Sequence, residues 1–188
     1  MTTETSKEDF FFEAFKEEWY VDVYLLPADV KKPIPAHKLI LAAGSKKFKS
    51  IFDSNDSRKA SYKAIIASGL KHDQLEAFLE FMYKGTLPSD RLKKHVRALY
   101  LASDEYEAPY LQEFCRAHLI SSLGPSNALD TVKLSNDLCD KILQDAAIDF
   151  VFMHGDEIPF SRFEDFVVRN PNLAVDMLKV ASAKIRSS

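Results

Sequence analysis

From residue 73 onward, apolar residues recur at helical spacing, whereas strand-like alternation is confined to short runs nearer the N-terminus. In the clearest helix the apolar residues fall at i, i+3, i+4 and i+7: Leu75, Phe78, Leu79 and Met82. Gly85 stands where a C-terminal cap of this helix belongs. Helical patterns continue to residue 185, and Gly124-Pro125 is the strongest boundary between them. Many helices with a few short strands predict an α+β fold that lacks a repeating parallel β-α-β pattern.

Three short segments have the pattern of strands. Residues 21–25 alternate apolar and polar side chains and end before Pro27. A polar link rich in turn residues then suggests a hairpin, with Ile34 in the returning strand. Ile65-Ile66 supply a third strand after a polar loop at residues 53–61. These segments predict a short three-stranded sheet flanked by helices.

An aromatic stripe precedes the first strand. Phe11, Phe15 and Trp19 are spaced at i, i+4 and i+8, with lysine and glutamate on the other positions. This spacing predicts an amphipathic helix over the N-terminal segment. Because its aromatic face needs a cover, the helix is expected to pack on another surface.

The overall charge argues against nucleic acid or an anionic membrane as a partner. The 188 residues carry a formal net charge of −3, with acidic and basic residues mixed along the chain. The N-terminus is acidic where a signal peptide is basic, and no apolar run approaches the length of a membrane span. We therefore expect an intracellular protein, in the cytosol, the nucleus or both.

Motifs for catalysis or for cofactor binding are missing from the sequence. The two cysteines, Cys115 and Cys139, form no metal-binding pair, and neither a nucleotide-binding glycine motif nor a hydrolase motif occurs. His37 has the chemistry of a general base, but a histidine at a helix start that hydrogen-bonds to backbone is the favoured interpretation. We expect no catalytic residue, no cofactor and no metal.

Three separated blocks of the sequence carry a family resemblance. The first block, with a helix pair, comprises His37, Lys38, Leu41, Ala42, Ser45 and Phe48. The second, a turn, comprises Phe81, Tyr83 and Gly85, and the third comprises Ala102, Asp104, Tyr106, Leu111 and Cys115. In this order and spacing the blocks resemble the BTB/POZ domain over residues 19–123, and the chain as a whole is most similar to short BTB/POZ proteins of plants.

The residues after the third block are similar to the helical extension, of the BACK or 3-box type, found in speckle-type POZ adapters. We thus expect an N-terminal helix at residues 1–18, a BTB/POZ domain at 19–124 and an all-helical extension at 125–188. Family hallmark positions in the extension fall at Asn127, Ala128, Ala147, Phe150, Pro171 and Leu173.

The resemblance implies a homodimeric, non-catalytic interaction module. In such dimers the N-terminal helix packs across the partner protomer, which would cover Phe11, Phe15 and Trp19. Asp22 and Lys38 fall where the family places a charged pair at the dimer interface, and an ion pair is the expected structure. Breaking one partner of a largely buried pair typically costs about 3–5 kcal/mol.

The resemblance also implies recruitment of substrates to a cullin-3 RING ubiquitin ligase. The expected cullin-contacting residues are Phe52, Asp56, Arg58 and Tyr106. Many cullin-binding members carry an apolar residue, any residue and then glutamate, whereas the aligned positions here are Asp56, Ser57 and Arg58. Two functions therefore stay open: a ligase adapter, favoured by the tail, and a dimerisation scaffold without a ubiquitin role, favoured by this loop.

Overall fold

The computed structural model describes residues 7–29, 32–54 and 64–187. The first helix, α1, spans Lys7–Lys16, and a hairpin of β1 (Val23–Leu26) and β2 (Ile34–Ala36) follows it. Helices α2 (Lys38–Gly44) and α3 (Lys46–Asp53) precede the third strand, β3 (Ala64–Ala67). Their order along the chain confirms the prediction of three short strands among helices.

The remaining elements are helical. They are α4 (His72–Lys84), α5 (Ser89–Glu105), α6 (Pro109–Ser121), α7 (Ala128–Asp137), α8 (Lys141–Met153), a 3₁₀ turn (Gly155–Glu157), α9 (Phe160–Arg169) and α10 (Pro171–Ser187). None of the helices in the described ranges is both long and apolar enough to cross a membrane.

The sheet has the strand order β2-β1-β3. β1 pairs with β2 in antiparallel register, with Val23 opposite Ala36, as expected for a hairpin. β1 pairs with β3 in parallel, with Val23 opposite Ala64. The chain passes through β2, α2 and α3 between these two strands, and this single parallel pair is not a repeating β-α-β alternation, so the predicted α+β class is confirmed. The four-residue β3 is too short for its sequence to indicate the pairing direction.

The core of the N-terminal part forms where the sheet meets the helices. Fully buried side chains come from the strands, from α2 to α6 and from their junctions: Val23, Leu25, Leu41, Phe48, Leu75, Phe78, Leu79, Leu99, Tyr100 and Leu111. Three of these, Leu75, Phe78 and Leu79, belong to the helical stripe of α4 that the sequence predicted. Burial of these apolar side chains away from water stabilises this unit.

By compactness the chain divides into two units, Met1–Cys115 and Arg116–Ser188. The division falls inside α6, whereas the boundary expected at Gly124-Pro125 falls after the end of that helix. The C-terminal unit has its own core, which includes Val132, Ala147 and Phe166. Its helix α8 is capped by the preceding residue, Asp140, whose carboxylate accepts the Leu143 N–H. The same carboxylate accepts a hydrogen bond from Nε of Arg116 at 2.6 Å.

The C-terminal cap of α4 offers a stability test. Gly85 has φ +69°, so any other residue at this position adopts an unfavourable left-handed conformation, although its Cβ would meet no atom within 4 Å. We expect Gly85→Ala to lower the free energy of unfolding by about 1 kcal/mol, measured by urea denaturation.

Gly124→Ala is the matched control, because a Cβ there also meets no atom within 4 Å and its φ lies outside the left-handed region. Equal stability of the two variants would contradict the proposed role of Gly85.

Candidate protein-interaction surface

His37 joins β2 to α2 and contacts two other parts of the chain. Its backbone N–H donates to Oη of Tyr83 at 3.0 Å, and its ring Nδ1 lies 2.6 Å from the same oxygen. Its Nε2 lies 2.5 Å from the backbone carbonyl oxygen of Trp19. The interpretation of His37 as a helix-start histidine bonded to backbone is confirmed.

The partners of His37 define how its ring is protonated. A carbonyl oxygen only accepts, so Nε2 carries the proton that bonds to Trp19. Nδ1 then accepts a hydrogen bond, and the donor is the Tyr83 hydroxyl. Burial raises the pKa of Tyr83 well above its usual value, and the charge of Asp22 raises it further. The phenol therefore keeps its proton and stays a donor to His37.

Asp22 and Lys38 lie together, but not as the expected ion pair. Oδ1 of Asp22 accepts the backbone N–H of Lys38 at 2.7 Å, at the first turn of α2. Nζ of Lys38 instead lies 5.9 Å from the centre of the Phe52 ring. The predicted charged pair was wrong in this respect, because the carboxylate satisfies a helix N-terminal amide that has no partner within the helix.

The N-terminal aromatic stripe is shorter than the spacing predicted. α1 ends at Lys16, because Glu18 adopts φ +54° and the Trp19 N–H bonds back to the carbonyl of Ala14. The Glu18 N–H bonds to the carbonyl of Phe15, which completes a Schellman-type helix end. Trp19 thus lies outside the helix, and its predicted place on the stripe was wrong.

The aromatic residues of α1 face in different directions. The Phe15 ring packs on Tyr83 of the same chain, with centroids 4.8 Å apart, so Phe15 has a cover within its own protomer. Phe12 lies beside Nζ of Lys84 at 4.9 Å. Phe11 is 59% exposed and Trp19 is 56% exposed. These last two side chains, with Phe10, leave an apolar surface open to a partner.

A groove of about 510 Å³ runs between α2, the start of α3 and the start of α6. Its apolar walls are Leu39 and Tyr110, which are 78% and 74% exposed. Ala42, Ala43, Lys46, Lys49 and Asp53 also line it. We call this feature the α2–α3 groove.

Charged side chains also line the α2–α3 groove. Within the part of the chain that the structure describes, neither Lys46 nor Lys49 forms an ion pair through its ammonium group. The groove thus presents an apolar interior beside two cations and the carboxylate of Asp53. Sequence reasoning missed it, because Leu39 and Leu41 look alike in the pattern although only Leu41 is buried.

Ser45 and Tyr106 meet at the beginning of α3. The Ser45 hydroxyl accepts the Phe48 N–H at 3.1 Å, which confirms its predicted role as an N-terminal cap. The same hydroxyl donates to the carbonyl of Tyr106. The Tyr106 ring stacks on Phe48 with centroids 4.8 Å apart and is only 3% exposed. Tyr106 is thus a packing residue, and the expectation that it contacts cullin directly is corrected.

The other expected cullin-contacting residues are only partly described. Phe52 is half-buried and stacks on Phe48 with a centroid distance of 5.9 Å, near the end of α3. Asp56 and Arg58 lie outside the described residues.

A cluster of possible metal ligands lies at the start of α4. His72, Asp73 and Glu76 hold ligand atoms within 4.8 Å of one another. The two carboxylates already face cations of α5, with Arg91 3.8 Å from Glu76 and Lys94 3.7 Å from Asp73. The cluster is therefore an ion-pair network that links α4 to α5.

The described residues thus combine a small mixed sheet and helices with an exposed apolar surface, a groove lined by apolar and charged side chains, and polar side chains engaged in structural contacts. The family model of the BTB/POZ domain matches residues 11–123, which is more than half of the chain.

Relatives in Arabidopsis thaliana extend the match. BTB/POZ domain-containing protein At1g01640 is 41% identical over 88% of this chain and 80% of its own length. BTB/POZ domain-containing protein At5g48510 is 40% identical over 96% of this chain and 85% of its own length. BTB/POZ domain-containing protein At3g56230 is 40% identical over 94% of this chain, which spans only 63% of that relative.

The chain belongs to the BTB/POZ domain family. Domains of this family mediate protein–protein interactions and dimerisation and are generally non-catalytic. The resemblance found in the sequence is thus confirmed at the level of the family and of an interaction module.

The corrected role of Asp22 leads to a graded prediction. We expect Asp22→Ala to lower the free energy of unfolding by about 1 kcal/mol, because α2 loses a capping acceptor. Asp22→Asn keeps an acceptor oxygen but loses its attraction to the helix dipole, so we expect a smaller loss of a few tenths of a kcal/mol. Chemical denaturation measures both values. A loss of about 3 kcal/mol or more for Asp22→Asn would instead support a buried ion pair.

Proposed function

We propose that this protein is a homodimeric interaction module that acts inside the cell as a substrate adapter of a cullin-3 RING ubiquitin ligase. The observation that carries the proposal is a BTB/POZ unit followed by a second helical unit with its own core. In the speckle-type adapters that the sequence resembles, the tail widens the contact with the cullin.

The open surfaces of the N-terminal unit support the homodimer. The segment of residues 7–18 carries five acidic residues and two lysines, a net charge of −3. Beside its apolar walls, the α2–α3 groove is lined by Lys46, Lys49 and Asp53, and neither lysine has an ion pair among the described residues. A second copy that lays this acidic, aromatic segment across the groove would match both its charge and its apolar character.

The size of the apolar surface supports a dimer as the working unit. Phe10, Phe11 and Trp19 are all more than half exposed, and so are Leu39 and Tyr110. Full burial of a large apolar side chain contributes roughly 1.5–3 kcal/mol. In a symmetric dimer, each of the two copies contributes all of these side chains to the interface. The free energy gained by burying them has to exceed an association cost of about 4–15 kcal/mol.

The scaffold without a ubiquitin role is the second candidate. It is favoured by the sequence Asp56-Ser57-Arg58, which lacks the apolar residue and the glutamate of many cullin-binding members. An apolar side chain that enters a partner's pocket is often a hot spot of about 2 kcal/mol or more. The two candidates differ in whether the chain binds cullin-3 at all.

Reversing the groove charges tests the dimer. We expect wild-type protein at micromolar concentration to have a mass of about 43 kDa by light scattering, twice the 21.4 kDa of one chain. The double variant Lys46→Glu, Lys49→Glu places like charges against the acidic segment, so its dimer is expected to dissociate at concentrations about tenfold higher or more.

The matched control is the double variant Lys93→Glu, Arg97→Glu, which reverses two exposed cations on α5. A groove variant with the same mass profile as wild type and this control would contradict the proposed arrangement.

Direct binding tests the adapter. We expect the purified N-terminal region of cullin-3 to bind the wild-type protein in calorimetry with a Kd of tens of micromolar or tighter. Phe52→Ala removes an aromatic side chain at the end of α3 and is expected to weaken binding about tenfold. Leu101→Ala, which truncates a partly exposed side chain on α5, is the control. A folded, dimeric wild-type protein that shows no binding in this range would favour the scaffold.

A further inference from the structure

The linker between α1 and β1 holds an unfavourable backbone conformation. Glu18 and Tyr20 adopt φ +54° and +55°, a left-handed region that residues with a Cβ rarely occupy. Such conformations persist where surrounding contacts hold the chain in place. Helix-end hydrogen bonds account for Glu18, but Tyr20 lies beyond them and is almost fully exposed.

The contact that holds the linker comes from His37. Its Nε2–H donates to the carbonyl of Trp19, which is the residue between the two left-handed positions. The ring is itself fixed, because Nδ1 accepts the Tyr83 hydroxyl at 2.6 Å. The Tyr83 oxygen also accepts the backbone N–H of His37, so the same hydroxyl fixes both the main chain and the ring of His37.

The same tyrosine holds α1. The ring of Tyr83 packs on Phe15 at 4.8 Å, and the next residue, Lys84, lies over Phe12 at 4.9 Å. Tyr83 thus contacts α1 with its ring and the linker, through His37, with its hydroxyl. A change at the hydroxyl reaches the linker without removing the ring from Phe15.

We propose that His37 and the Tyr83 hydroxyl form a latch that holds the Trp19 carbonyl and thereby keeps α1 docked on α4. Without the latch the left-handed Tyr20 loses its restraint, and the linker relaxes to other conformations. A helix of ten residues is marginal in water, so an undocked α1 loses its helical hydrogen bonds. The latch thus makes α1 a segment that opens separately from the rest of the N-terminal unit.

In the proposed dimer, on which this step rests, the latch also positions the contact surface. Phe10 and Phe11 belong to α1, so their position for a second copy depends on the docking of α1. Opening of α1 removes these aromatic side chains from the proposed contact. His37 is in this sense a positioning residue for the interaction surface.

Hydrogen exchange tests the latch. We expect His37→Ala and Tyr83→Phe each to accelerate amide exchange in residues 10–19 about tenfold or more, while exchange in α4, α5 and α6 stays at the wild-type rate. Trp19 is the only tryptophan of the chain, so its fluorescence reports on the linker alone. Acrylamide is expected to quench this fluorescence more strongly in both variants than in wild type.

The double variant separates a latch from two independent structural roles. Because both groups act through one contact, we expect His37→Ala with Tyr83→Phe to exchange no faster in α1 than the faster single variant. His154→Ala is the control, since it removes a histidine whose ring bonds to Glu157 in the C-terminal unit. It is expected to leave α1 unchanged.

Three results would overturn the latch: wild-type exchange rates in residues 10–19, multiplying effects in the double variant, or a loss of protection that spreads through the whole N-terminal unit. Light scattering on the same samples gives the mass. A monomeric wild-type protein would contradict the proposed dimer, while the exchange rates still decide whether the latch exists.

Discussion

The buried hydroxyl of Tyr83 needs hydrogen-bond partners, and those partners connect three segments that are distant in sequence. It lies at the end of α4 and bonds twice to His37, at the junction of β2 and α2. The ring of the same residue receives Phe15 of α1. Because the hydroxyl contacts His37 and the ring contacts Phe15, Tyr83 fixes the positions of α1 and of the β2–α2 junction relative to α4. The exposed aromatic residues of α1 are positioned by these contacts.

Much of this fold follows from patterns in the sequence. The stripe that contains Leu75, Phe78 and Met82, with Gly85 after it, is enough to predict α4 and its end. Ser45 was recognisable as a cap, because serine before an apolar helix satisfies a free amide. These features are local, and each needs only neighbouring residues to be understood.

Features that depend on distant contacts were not accessible in the same way. The end of α1 at Lys16 depends on a left-handed Glu18, where a pattern search looks for glycine. The parallel pairing of β3, the use of Asp22 by a backbone amide and the burial of Tyr106 against Phe48 are all tertiary. The α2–α3 groove was likewise invisible, because which leucine of α2 is exposed depends on what packs against the helix.

The two units contribute different features to the proposed function. The N-terminal unit offers the groove and the aromatic segment, whose opposite charges suit a second copy, and the C-terminal unit adds a separately packed group of helices. The polar groups at His37, Ser45 and Tyr83 are engaged in holding elements together. These contacts hold the elements that carry the exposed interaction surfaces in fixed positions.

The most direct test of the account is a photo-activated cross-linker placed at position 11, in place of Phe11. In a mixture of isotopically light and heavy chains, mass spectrometry distinguishes links between copies from links within one copy. The account expects links between copies, with the attachment points in residues 39–49 along the α2–α3 groove. Links confined to single chains, or links between copies that fall elsewhere, would contradict it.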